Sequence, residues 1–270
     1  MEIENLPEGL AKSGAIRIRE KLRSISGGRV LDVATGYGGF IDTLMKTLKD
    51  YDSFVGIDYS EKEVESAKKR FKGQPVKIMK MNAEALKFRN DSFDTVCISH
   101  SLHHLDRIDK VLAEMKRVLK FNGYFIIQEM FCDGEQAEAQ KAERARADWD
   151  AEIDSLLGVT HNKTLIKQKI KDIMSDLELE EVELFESTHP VKCLFCDKKF
   201  ECENPKNEKI VNQAIKEIDD NLRRLKENQG MKTRTRLEDA GEKLKERIRK
   251  FGSANASHLF IVGKKVVHLT

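Results

Sequence analysis

A glycine-bearing turn, Val30-Leu31-Asp32-Val33-Ala34-Thr35-Gly36-Tyr37-Gly38-Gly39, follows a short apolar run. Glycines there let the backbone approach a ligand closely. The turn lies at the carboxyl end of a predicted strand, where open α/β sheets bind ligands. Gly36 and Gly38 match two positions of the dinucleotide fingerprint G-x-G-x-x-G, but the third position is Ile41. Asp32, on the strand itself, is not part of that fingerprint either, so a nicotinamide or flavin site is disfavoured. Asp58 ends a second apolar run, 26 residues after Asp32. An ionised carboxylate there can accept from both hydroxyls of a ribose, or it can cap the helix that follows. Tyr59 can pack on a base, or serve as ordinary surface packing. His100, His103 and His104 cluster after a fourth apolar run. Imidazole suits proton transfer near neutral pH, and His100 is the candidate general base, with Glu129 and His161 behind it. His103 and His104 can equally cap the next helix and pack on the sheet.

His189-x3-Cys193-x2-Cys196-x5-Cys202 has the content of a Cys₃His zinc site. The C-x5-C spacing is loose and no second C-x2-C follows. Reduced cysteines in a loop, a structural zinc, and a site for a thiophilic substrate all stay open.

The elements that must position these residues alternate over the first half. Predicted strands are 29–34, 53–57, 76–81, 95–99 and 124–127, with helices at 14–25, 40–48, 60 onward and 108–119. Ser60 with Glu63 has the form of a capping box, and Asn122-Gly123 is expected to end the fourth helix. Such alternation implies a parallel sheet with helices on both faces. The second half differs. A long helix is predicted over 135–157, with Ala142, Ala145, Trp149, Ile153 and Leu156 on one stripe, and another over 164–174. Strands follow at 179–185 and 259–262. Between them lie the cysteine segment and two amphipathic helices, one marked by Val211, Ile215, Ile218, Leu222 and Leu225, the other by Leu237, Leu244, Ile248 and Phe251.

Composition bounds the function. The chain has 270 residues, 40% hydrophobic and 35% charged. The charged share exceeds the ~25% of average chains, and with ordinary apolar content it points to long solvated helices, not disorder. Lys and Arg total 48 against 46 Asp and Glu, a formal charge of +2, which argues against a general polyanion binder. No apolar run reaches the ~18 residues of a membrane span, and the acidic N-terminus lacks the basic start of a signal peptide. Five cysteines, an odd and sparse set, fit a reduced cytoplasmic protein.

With these residues in place, the chain resembles the class I S-adenosylmethionine-dependent methyltransferases, especially the ubiquinone/menaquinone-biosynthesis (type 11) group. The resemblance rests on Leu31-Asp32-Val33-Ala34-Thr35-Gly36-Tyr37-Gly38, Gly56-Ile57-Asp58-Tyr59-Ser60, Asn82-Ala83-Glu84-Ala85-Leu86-Lys87-Phe88, Ser92-Phe93-Asp94-Thr95-Val96, Leu102-His103-His104-Leu105 and Glu114–Gly123, in that order. It implies a Rossmann-like α/β fold, doubly wound, with a mostly parallel seven-stranded sheet whose last strand is antiparallel, carrying helical insertions. It implies S-adenosylmethionine as cofactor. Asp58 and Tyr59 would hold its ribose and adenine, and Asn82 and Ala83 would meet the adenine edge. Gly36 and Gly38 would face the methionine part, with Asp32 ordering that loop and the amino group, and Ser99 and His100 would line the same cleft. The family usually has Asp where Asn82 stands, so that contact loses charge assistance.

The expected organisation is one domain over 1–270, with a cofactor-binding core at 10–130, a helical lid at 131–176, and an insertion at 188–257. Over 206–250 stand 14 Lys and Arg against 9 Asp and Glu, a solvated basic face, a surface for an anionic acceptor at a lid, or a weak nucleic-acid contact. The helix pair could also build a homodimer. The expected activity is methyl transfer to a small molecule. Methylation of RNA or protein is the alternative, and it lacks support from an Asn/Asp-Pro-Pro-aromatic motif, since Ser99-His100-Ser101-Leu102 stands there. A cofactor-binding or sensor module without catalysis is the third reading. Neither nucleic acid nor membrane is an expected partner.

Overall fold

A computed structural model describes residues 14–187, 204–228 and 233–266. Its seven strands are β1 (Arg29–Val33), β2 (Ser53–Asp58), β3 (Val76–Lys80), β4 (Phe93–Ser99), β5 (Leu119–Met130), β6 (Glu180–Ser187) and β7 (His258–Lys264). They form one sheet in the order β3-β2-β1-β4-β5-β7-β6. The first five run parallel, and β7 runs antiparallel to both β5 and β6. The expected α/β architecture with a mostly parallel seven-stranded sheet is the observed one.

Helices α1 (Ala15–Ser24), α2 (Gly39–Thr47) and α3 (Glu61–Arg70) cover one face, and α4 (Ile108–Val118) and α6 (Lys167–Ser175) the other. Strand β1 is buried on both sides after Arg29, as a central parallel strand covered by two helical layers must be. On α4 the apolar spacing aims Val111, Leu112, Met115 and Val118 at the sheet. A third core lies away from the sheet. There α5 (Glu138–Leu156) packs with α7 (Glu208–Glu227) and α8 (Arg234–Phe251) around Trp149, Ile153, Ile218, Leu222, Leu237 and Ile248. Trp149 donates from Nε1 to the Leu237 carbonyl at 2.9 Å. The apolar stripes of the helix pair therefore face α5 of the same chain.

Several boundaries differ from expectation for local reasons. Asn122-Gly123 does not end the fourth helix. That helix stops at Val118, because Leu119 already pairs with Phe93 in the sheet. The expected helix start at Thr164 gives way to extended backbone, where Leu165 bridges Phe131 and its carbonyl accepts from Cys132 N at 2.9 Å. Leu156, expected on the buried stripe, is 46% exposed. The capping box at Ser60 is half realised. Its Oγ accepts from Glu63 N, but the Ser60 N–H donates to Asp58 Oδ1 at 2.8 Å, where a box would use Glu63.

Candidate active site

The carboxyl ends of β1, β2 and β4 open on a cleft of about 1390 Å³. Asp32, Gly36, Asp58, Tyr59, Asn82, Ala83, Ser99 and His100 all line it, so the structure brings these predicted residues together. Gly38 stands just behind, as the residue preceding α2. It has φ 88°, and a Cβ there would meet the Phe71 ring at 2.2 Å, so only glycine fits. Gly36 also has positive φ, but a Cβ on it would meet nothing within 4 Å. Its backbone therefore faces open cleft, a cradle that a side chain would fill.

Asp58 holds this cradle. Its Oδ2 accepts from Gly36 N at 2.8 Å and its Oδ1 from Ser60 N at 2.8 Å. Both readings of Asp58 thus meet in one carboxylate. It organises the start of α3, and each oxygen keeps a lone pair toward the cleft. Tyr59 is 75% exposed, leaving its ring face available for stacking. Asn82 Oδ1 accepts from Glu84 N at 2.9 Å, so the oxygen considered for an adenine amino group also shapes its own loop. The set of one anchored carboxylate, an exposed aromatic ring and a glycine cradle fits a nucleoside attached to an amino-acid tail.

Asp32 is buried, accepting from Thr35 Oγ1 at 2.5 Å and from Cys97 Sγ at 3.4 Å. Burial pushes its pKa up to about 7, against the pull of those two donors. Desolvation likewise pushes the Cys97 thiol well above its ordinary range.

His100 sits where the cleft meets a second cavity of about 220 Å³. Its backbone is left-handed at φ 48° and is held by a bond from its N–H to the Gln128 carbonyl at 2.7 Å. Its Nε2 lies 2.9 Å from Gln128 Nε2, and its Nδ1 is buried without a partner. Burial lowers its pKa, so the ring is neutral at pH 7. With the Gln128 amide nitrogen donating to Nε2, Nδ1 carries the proton. With the amide rotated, Gln128 Oε1 accepts from Nε2–H and Nδ1 becomes basic. The base role requires the second arrangement.

The smaller cavity was not foreseen. Gln128, Glu143, Arg146, Asn255 and His258 line it with His100. Arg146 pairs with Glu143 at 2.6 Å and with Asp150 at 2.5 Å. His258 Nδ1 donates to the Ala256 carbonyl at 3.3 Å, leaving Nε2 as a buried acceptor with no partner. Desolvation, joined by the neighbouring His100, pushes its pKa down to about 3. Gln128 is readable as a polar residue inside the apolar run of β5. Nothing in the charged pattern of α5 singles out Arg146.

Glu129 is not available as a base. It is wholly buried and accepts from Leu102 N at 2.7 Å, Met130 N at 2.9 Å and His103 Nδ1 at 3.0 Å. Burial alone would raise its pKa, but His103 and the backbone donor outweigh that and hold it low. His161 Nδ1 is bound to Asp154 Oδ2 at 2.7 Å, beside His103 and His104 rather than at His100. His189, Cys193, Cys196 and Cys202 lie outside the described residues.

Residues 31–127 match the model of a family described as a methyltransferase domain. The chain is similar to the ubiquinone/menaquinone biosynthesis C-methyltransferase UbiE of Desulfotalea psychrophila, 40% identical over 96 residues, covering 36% of this chain and 39% of that protein. It is also similar to a phthiotriol/phenolphthiotriol dimycocerosates methyltransferase of Mycobacterium tuberculosis, 34% identical over 101 residues, 37% of each. The chain spans less than half the length of the curated relatives it matches. Among solved structures, phosphoethanolamine N-methyltransferase 2 of Haemonchus contortus in complex with S-adenosyl-L-methionine shares the fold, with a TM-score of 0.53 at 17% identity, covering 96% of this chain and 55% of that one.

Proposed function

We propose that residues 31–127, which match a methyltransferase-domain model and resemble C-methyltransferases of ubiquinone/menaquinone biosynthesis, form a class I S-adenosylmethionine-dependent methyltransferase domain, and that the chain transfers a methyl group to a small-molecule acceptor, leaving S-adenosylhomocysteine. When bound, the cofactor supplies a sulfonium methyl already activated for in-line attack. The protein's task is then positioning, with proton removal added only for acceptors that must lose one.

Asp58 accepts from the ribose hydroxyls with its two remaining lone pairs, while its bonds to Gly36 and Ser60 keep the carboxylate from turning. Tyr59 packs on the adenine, and Asn82 and Ala83 border its edge. The Gly36–Gly38 turn and Asp32 receive the amino-acid end, where an ionised Asp32 pairs with the ammonium group. Ser99 and His100 close the floor.

The acceptor occupies the cavity of about 220 Å³ beside His100. One observation carries this reading. His100, Gln128 and Asn255 belong to both cavities, so donor and acceptor sites meet at one wall. His258 Nε2 accepts a hydrogen bond from the acceptor, and Arg146, held by Glu143 and Asp150, borders the cavity. With Gln128 Oε1 holding Nε2–H, His100 takes the acceptor's proton at Nδ1. A cavity this small suits a small molecule over a polymer. The low cysteine content fits a cytoplasmic setting, and no helix of the described residues is long and apolar enough to cross a membrane.

Calorimetry with S-adenosylmethionine, followed by detection of S-adenosylhomocysteine across a panel of small polar acceptors, tests the reading. Cofactor binding with turnover on at least one acceptor is the expected result. Binding without turnover on any of them favours a cofactor-binding module.

A further inference from the structure

We propose that His103, His104 and His161 form a binding site for a zinc-class divalent cation on the edge of the cofactor cleft. One ring nitrogen of each lies within 4.8 Å of those of the other two. The rings come from distant parts of the chain. His103 and His104 lie in the 3₁₀ turn after β4, and His161 lies in the loop after α5. Ring centroids stand 4.3 Å apart for His103 and His104, 4.0 Å for His104 and His161, and 5.4 Å for His103 and His161.

What lies behind the rings points to a metal. His103 Nδ1 is bound to Glu129 Oε1 at 3.0 Å, and His161 Nδ1 to Asp154 Oδ2 at 2.7 Å. Both carboxylates are themselves anchored. Glu129 Oε2 accepts from Leu102 N at 2.7 Å, and Asp154 Oδ1 from Arg224 Nη2 at 2.6 Å. A carboxylate behind an imidazole fixes the proton on Nδ1 and turns the Nε2 lone pair outward. That arrangement backs most metal-bound histidines. Here it occurs twice in one cluster of three.

Three neutral nitrogens suit zinc and similar borderline cations. A bond of about 2.1 Å to each would draw the nitrogens to roughly 3.4 Å apart. The present spread, up to 4.8 Å, would contract on binding. Three protein ligands leave a tetrahedral fourth position open. His104 and Asp154 both line the large cleft, so that position borders the space where an acceptor enters. A heteroatom donor of the acceptor, such as a hydroxyl or thiol, is the ligand class it would take. The inference stands on these five side chains and does not require the methyl-transfer reading.

The test uses the full chain carrying Cys193→Ser and Cys196→Ser, so that the cysteine segment cannot hold the ion. After removal of metal it is titrated with zinc chloride by calorimetry. One equivalent should bind. His161→Gln should weaken binding at least tenfold, and Asp154→Asn by about 10- to 100-fold, with the circular dichroism spectrum retained in each. Cobalt loading should give visible d–d bands without the near-ultraviolet charge transfer of a thiolate ligand. Absence of zinc uptake by the Cys193→Ser/Cys196→Ser protein overturns the site, as does uptake unchanged by both His161→Gln and Asp154→Asn.

Discussion

Gly36 N donates to Asp58 Oδ2 at 2.8 Å, joining the turn after β1 to the end of β2. The carboxylate proposed to hold the ribose therefore also sets the shape of the loop proposed to hold the methionine end. The two halves of the cofactor site are coupled through one side chain, and its loss should be felt in both.

Asp58→Asn is expected to weaken S-adenosylmethionine binding by about 10- to 100-fold, the equivalent of charge-assisted hydrogen bonds worth roughly 1.5–3 kcal/mol. S-adenosylhomocysteine should lose a similar factor, because the lost contacts lie away from the methyl. Titration calorimetry with both ligands reads this, and equal affinity in variant and parent would refute the role.

Asp32 predicts a pH dependence. Its folded pKa is raised to about 7, so the carboxyl stays protonated below that value. Only the ionised form pairs with the cofactor's ammonium group, so affinity should rise as pH passes from 6 to 8. Stability runs the other way. A raised pKa means that the folded state holds the proton longer, so this contribution is present below the unfolded value of ~4 and declines as pH rises toward the folded value. Asp32→Asn should flatten both trends, measured as calorimetric affinity and as the difference in chemical unfolding free energy across pH.

His100→Ala should lower turnover by about 10²- to 10⁴-fold on an acceptor that must lose a proton, with cofactor affinity changed little. Gln128→Glu places a fixed acceptor beside Nε2 and raises the ring's basicity, so the acid limb of the pH–rate profile should move upward. Unchanged turnover in His100→Ala would remove His100 from the mechanism.

The core between α5, α7 and α8 includes the chain's single tryptophan. Trp149 is 5% exposed, and a Cβ on Gly241 would meet its ring at 2.8 Å. Trp149→Ala should cost about 3–5 kcal/mol, read by denaturant unfolding followed by circular dichroism. Gly241→Val should also destabilise, because the rigid ring and the facing helix cannot both give way.

Legibility followed locality. Asp32, Gly36 and Asp58 are readable because they lie at or just beyond the carboxyl ends of β1 and β2, where a short stretch of chain defines the geometry. The smaller cavity depends instead on register across the antiparallel pair of β5 and β7, where Met130 lies opposite His258. No local pattern states that pairing. The same holds for His161, whose nearness to His103 depends on where the loop after α5 returns. Glu129 illustrates the opposite error. Its residue type allowed a base, and only the three donors around it show why it cannot serve as one. The helix pair read correctly as amphipathic, but which surface its stripes would cover was decided by α5.

Strand β7 follows β6 in sequence yet lies between β5 and β6. Asp32, Asp58 and His100 stand on chain that precedes β6, whereas Asn255 and His258 come from the segment that follows it. The smaller cavity therefore depends on the insertion of β7 between β5 and β6, while the contact of Asp58 with Gly36 does not.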